Sequence, residues 1–382
     1  MVSLNNFDTE KFLRNNWQKR PLLIRQGLDN TEAFISFDEL AGLACEPEME
    51  SRLVSYQQQQ WYLRHGPFSK SDFSQLPNSH WTLLVQAVDH VSPAIFELMD
   101  SFRFIPNWRL DDIMVSYACK GGGVGPHFDN YDVFLVQTSG QREWQLGPRC
   151  DESNPLLDHP DLLLLDNFEC QQRFVLNPGD ILYIPPRYSH WGIAKDNNCI
   201  TCSVGFRAPA LADIIVEYAE HLGQGLTSQQ RFQDQRRQLQ DNPGEISHHV
   251  IDQLRSLIVK TVDDQNALES WFGKYMTQAK YEHDTDEIIE TEQGMTEKLL
   301  AGHPVFRDPS TRLAYIAGYE QTQFFCNGLC WQLDSRYVAL AKLLGGQTVF
   351  SAEDFTEWLG LSHSRKLLIA MFEKGQLYFN GG

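Results

Sequence analysis

Apolar residues change their spacing along the chain, and these changes divide it. Near the start, Phe7, Phe12, Leu13 and Trp17 recur at helical spacing with Asp8 or Thr9 placed to cap, which predicts a helix over residues 7–17. Pro21 stops it, and Leu22-Leu23-Ile24 reads as a short strand. Further short helices are expected over 37–44, behind Ser36, and over 95–100. Residues 52–56 and 61–63 read as paired strands around a polar tip at 57–60, and the apolar run 81–88 as a buried strand.

From 111 to 207 the texture is different. Short β-branched and aromatic runs at 113–117, 133–137, 144–146, 174–176, 181–184 and 200–206 alternate with turn signals. The signals are the glycines of 121–125, Gly140, Gly147-Pro148, Asn177-Pro178-Gly179-Asp180 and Pro185-Pro186. Strands at this spacing predict a β-sandwich or barrel, whose mouth can take a small ligand. Past Pro209 helical spacing takes over at 211–222 and again at 246–280, through Val250, Leu254, Leu257 and Ile258, with a polar stretch between. A charged linker over 283–292 then leads to a small α/β unit, with strands expected at 312–316 and 323–325 and helices at 337–344 and 352–359.

A chain of 382 residues, 42% hydrophobic and 21% charged, has room for two or three globular domains. There is no apolar run of about 18 residues, so no membrane span is expected. The first residues carry charge without an apolar block, which argues against a secretory signal and for the cytoplasm. The eight scattered cysteines then read as buried free thiols. Cys199-Ile-Thr-Cys202 has metal or redox spacing, but strand alternation would send its two thiols to opposite faces. A net charge of −18 disfavours direct nucleic-acid binding, which draws on clustered Lys and Arg. The same charge suits either a basic partner or plain solubility, and does not choose between them.

The chemistry gathers at Gly121-Gly-Gly-Val-Gly-Pro-His127-Phe-Asp129-Asn-Tyr131-Asp132. On a strand, His-x-Asp places an imidazole and a carboxylate on one face; two histidines and one carboxylate cap one side of Fe(II) and leave positions open. The motif alone is weak, since roughly one chance match is expected, and His159-Pro160-Asp161 is a second instance. Pro160 removes a ladder donor, so His159 and Asp161 read as a turn and a possible helix start. His127 instead follows a glycine turn and is expected to enter a strand. The third ligand is His190, aimed by the Pro185-Pro186 corner, in preference to mere packing beside Trp191. Arg142 could face inward with Trp144 and Leu146 and hold an anion, or sit on a solvent turn; spacing leaves both open. Ser116, on the 113–117 strand, could offer a hydroxyl to the same anion.

These residues, together with Pro178-Gly-Asp180-Ile-Leu-Tyr-Ile-Pro-Pro and His190, closely resemble the JmjC-type ribosomal oxygenases. The branch most similar is the bacterial one that hydroxylates an arginine of large ribosomal subunit protein sixteen. The likeness extends to Trp17-Gln-Lys-Arg-Pro21, His65-Gly-Pro-Phe68 and Ser203-Val-Gly-Phe-Arg-Ala-Pro209, is strong over residues 10–210, and departs at Phe128, Trp191 and Thr201. It implies a double-stranded β-helix (cupin/JmjC) core with its N-terminal extensions over 1–209, a helical dimerisation module over 210–282 and a small winged-helix-like domain over 283–382. It further implies Fe(II) held by His127, Asp129 and His190, and 2-oxoglutarate held by Arg142 and Ser116. The expected partners are a basic large-subunit ribosomal protein and a second copy of the chain. For the substrate side chain the candidates are Tyr131 and Asp132, though Asp132 could equally cap a turn. Two alternatives stand beside this reading: a JmjC oxygenase acting on another residue such as histidine, and a non-catalytic metal-binding cupin.

Overall fold

The computed structural model describes residues 4–29, 34–235, 237, 239–281 and 290–380. Two compact units divide the chain, residues 1–208 and 209–382. Most of the charged linker expected over 283–292 lies outside the described residues.

The first unit is built on eleven strands: β1 (Leu22–Ile24), β2 (Ser51–Gln57), β3 (Gln60–His65), β4 (Trp81–Val85), β5 (Leu110–Ala118), β6 (Val133–Ser139), β7 (Arg142–Arg149), β8 (Gln172–Leu176), β9 (Ile181–Ile184), β10 (Tyr188–Ala194) and β11 (Cys199–Phe206). They form an eight-stranded sheet, in the order β1-β9-β6-β11-β5-β4-β2-β3, and a three-stranded sheet, β10-β7-β8. β6, in the middle of the large sheet, is buried on both faces, which is why Val133–Val136 reads as an unbroken apolar run. Phe134 and Val136 face one core together with Phe12, Leu40, Ile95 and Tyr183. Val133 and Leu135 face another, shared with Trp144 and Leu146 of the small sheet. Cys199 and Cys202 divide in the same way, Cys199 beside Ala118 and Ala194, Cys202 in the first core.

Helices close the outer face, and their starts follow the sequence. Asp8 caps Thr9–Asn15 by accepting the Lys11 N–H at 3.0 Å, and Ser36 forms a capping box with Glu39 ahead of Phe37–Leu43. Asp132 overturns an expectation. Rather than standing at the mouth for a substrate, it is fully buried on the outer side of β6. Its carboxylate accepts from Tyr183 Oη at 2.5 Å, Gln18 Nε2 at 3.0 Å and Arg109 Nη2 at 3.3 Å, pinning the N-terminal segment and the start of β5 to the sheet.

In the second unit, helices Leu211–Gly225 and His248–Val262 leave Leu211, Ile215, Ile251, Leu254 and Ile258 exposed. Helix Gln265–Thr277 packs on the sheet of Leu313–Ala317, Gln321–Cys326 and Leu329–Asp334, where Phe325 lies against Gly273. Helices Glu292–Leu300, Val338–Gly346, Glu353–Leu359 and Ser362–Glu373 complete a separate core around Met295, Phe324, Leu340, Phe355 and Leu368. Among the described residues no helix is long and apolar enough to cross a membrane.

Asp132→Asn keeps the shape and removes the charge that three donors share. It should cost the first unit about 2–4 kcal/mol of stability, read as a lower urea midpoint in circular dichroism.

Candidate metal centre

The glycine run lies directly on the backbone of β10. A methyl group added at Gly123 would fall 2.2 Å from the Gly192 carbonyl, and Gly125 has φ +86°. His127 then meets His190 in an isolated antiparallel bridge, donating its N–H to the His190 carbonyl at 3.0 Å and accepting in return at 2.8 Å. The expectation that His-x-Asp enters a strand is therefore corrected. The ladder begins only at Val133, and Asp129 is held instead by its carbonyl, which accepts the Arg187 N–H at 2.6 Å. Arg187 follows the double proline with φ +71°, the turn that swings the chain into β10 and delivers His190.

Three side chains converge on this bridge. Their ligating atoms all lie within 4.8 Å of one another, with His190 Nε2 at 3.5 Å and His127 Nε2 at 3.9 Å from Asp129 Oδ2. Each imidazole donates Nδ1–H to a backbone carbonyl two residues earlier, His127 to Gly125 and His190 to Tyr188, both at 2.9 Å. The tautomer is thereby set, and both Nε2 lone pairs point into the cluster. Burial, reinforced by the neighbouring His127, pushes His190 down to about 4, so it is neutral and able to ligate at pH 7. Two imidazoles and a carboxylate are the donor set that suits a divalent iron with open positions.

Arg142 faces inward, buried at the start of β7 between the two sheets. Its Nη1 donates to Ser116 Oγ at 3.2 Å and its Nε to Cys199 Sγ at 3.3 Å, while Nη2 is buried without an acceptor. A buried guanidinium with one edge satisfied by neutral groups and an unpaired Nη2 fits an incoming carboxylate.

Tyr131 stands at the rim. The residue is exposed overall, yet desolvation of its hydroxyl and the neighbouring charge of Asp129 drive its ionisation far above the usual range. Asp112 and Arg52 also act on that hydroxyl. Asp112, on β5 in period-two phase with Ser116, is buried and accepts from Gln86 Nε2 at 2.8 Å. The competing motif is a turn: His159 Nδ1 accepts the N–H groups of Asp161 and Leu162, and no helix starts there.

Residues 97–214 match the JmjC domain family and residues 260–378 the ROXA-like winged helix. The chain is 36% identical to the ribosomal protein uL16 3-hydroxylase of Escherichia coli (strain K12), over 97% of each chain. It is 44% identical to a probable ribosomal oxygenase of Haemophilus influenzae, over 54% of this chain and 51% of that one. The solved structure of the E. coli ribosomal oxygenase YcfD in complex with cobalt and 2-oxoglutarate superposes with a TM-score of 0.88 at 34% identity, covering 100% of both chains.

Gly123→Ala drives a methyl into the Gly192 carbonyl and should cost about 1–3 kcal/mol, together with weaker binding of Mn(II) in a calorimetric titration. Gly205→Ala is the control. Its nearest new contact is an ordinary 3.7 Å, so it should leave metal affinity unchanged.

Proposed function

The chain belongs to the JmjC-type ribosomal oxygenases, and from that premise we propose that it hydroxylates an arginine side chain of a basic large-subunit ribosomal protein. It is an oxygenase dependent on Fe(II) and 2-oxoglutarate. One observation carries this reading: a His-Asp-His face and a buried guanidinium with an unpaired donor share the interior of one barrel.

His127, Asp129 and His190 would hold the iron on one side, leaving the other for cosubstrate and oxygen. Arg142, backed by Ser116, would take the far carboxylate of 2-oxoglutarate. Once bound, the metal and cosubstrate supply the oxidising power that inserts one oxygen atom into an unactivated C–H bond. The protein's share is placement and exclusion of water. A substrate guanidinium arriving beside Asp129 would meet the Tyr131 hydroxyl as a candidate acceptor.

Catalysis is assigned to residues 1–209, self-association to the helices of 210–282 and a winged-helix-like role to 283–382, although the winged-helix family match begins as early as 260. The exposed apolar positions of Leu211–Gly225 and His248–Val262 support a homodimer. A substrate that belongs to the ribosome supports a cytoplasmic location without a role for direct nucleic-acid binding, and the charge of −18 suits such a basic partner.

The purified chain, given Fe(II), 2-oxoglutarate and candidate large-subunit ribosomal proteins, should form succinate and add one oxygen to an arginine by mass spectrometry; His127→Ala should abolish both. Oxygen found only on a histidine favours the alternative substrate, and no succinate at all favours a binding protein. Leu254→Glu combined with Ile258→Glu should sediment as a monomer where the parent chain sediments as a dimer.

A further inference from the structure

Besides Arg142, the barrel interior holds a second buried side-chain donor that lacks an acceptor, the indole N–H of Trp144. Trp144 is two residues from Arg142 on β7 and on the same inward face. Opposite them on β10, Ala194 pairs with Arg142, Gly192 with Trp144 and His190 with Leu146. The indole ring therefore occupies the span between the guanidinium, 5.7 Å from it, and the His190 ring, at 5.9 Å between centroids. Gly192 is what makes room: a methyl there would lie 2.7 Å from the ring. A buried indole usually finds a partner for its N–H, and leaving that donor dry is unfavourable. Packing explains the ring without explaining the unmet donor.

We propose that Trp144 is a third cosubstrate-binding residue, its Nε1–H donating to an oxygen of 2-oxoglutarate while its ring forms the floor beneath the carbon chain. This rests on the assignment of Arg142 to the same ligand. It adds a polar contact along the path from guanidinium to metal, so that a diacid of the right length is held at its end and at a point between.

The test is calorimetric titration of 2-oxoglutarate into Mn(II)-loaded protein, with Mn(II) affinity measured separately. Trp144→Phe should weaken 2-oxoglutarate binding about five- to tenfold while leaving Mn(II) affinity unchanged. An isosteric replacement of Trp144 by the amino acid whose ring carries sulfur in place of the indole N–H should give the same loss, and serves if the phenylalanine variant does not fold. Unchanged 2-oxoglutarate affinity in the folded variant overturns the proposal. Arg142→Ala separates the two assignments: if it leaves 2-oxoglutarate binding intact, the cosubstrate site itself is misplaced, whereas a loss there with none at Trp144 removes the indole alone.

Discussion

Two backbone hydrogen bonds, from His127 to His190 and back, are the constraint on which the site depends. Because the ligands are tied through their main chains, the backbone positions the metal face, and the packing of the Trp144 ring beside His190 adds to it. The surrounding sequence serves this close approach. Glycine at 123 lets the loop lie on β10, and glycine at 192 admits the Trp144 ring. The prolines at 185 and 186 and the left-handed Arg187 that follows them deliver His190 from the other side. The Nδ1 bonds to Gly125 and Tyr188 then extend the backbone's control into each ring.

The first unit uses buried charge in two opposite ways. Asp132, on the outer face of β6, is surrounded by three donors and acts as structure. Arg142, between the sheets, has a serine, a cysteine and an unpaired Nη2. The effective desolvation of such an ion is several kcal/mol, and neutral hydrogen bonds offset only part of it. Nearby polar groups are content: Gln137 reaches the carbonyls of Ser139 and Ile200, and Thr201 donates to Gln137. The unmet donors beside them are the Nη2 edge of this guanidinium and the Trp144 indole N–H, so a dianion entering there is stabilised more than it would be in a uniformly satisfied polar cavity. Stability is given up locally in exchange for affinity.

What the sequence reveals follows from where the signals are local. His127, Asp129 and His190 stand out because turn chemistry frames them, and Asp8 and Ser36 cap the helices expected of them. Asp132 misleads because its three partners come from Gln18, Arg109 and Tyr183, separations that no local pattern encodes. The His-x-Asp geometry is right in outcome and wrong in cause, since one bridge rather than a ladder aligns it. Other misses were readable. Asn327-Gly328, at φ 43° and 79°, turns Gln321–Cys326 into the Leu329–Asp334 strand, and this dipeptide is the strongest short hairpin signal. Leu367, Leu368, Met371 and Phe372 likewise announce the buried face of Ser362–Glu373. Trp144 looked apolar, and only its unmet N–H in three dimensions gives it another meaning.

Attraction and selection of a partner operate at different ranges here. A net charge of −18 sets up a field that draws any basic protein, but its reach is screened to about 8 Å at physiological salt. Such a field cannot distinguish one cationic side chain from another. Any such distinction has to be made at short range, as around the Tyr131 hydroxyl, where Asp129 and Asp112 act with one sign and Arg52 with the other. A compact ammonium offers such a place a point charge. A planar guanidinium spreads its charge over several donors and can address the phenol oxygen and a carboxylate together. Both cations meet Arg52 alike, so any preference for the flat one has to come from the geometry of its donors and not from the charge around it.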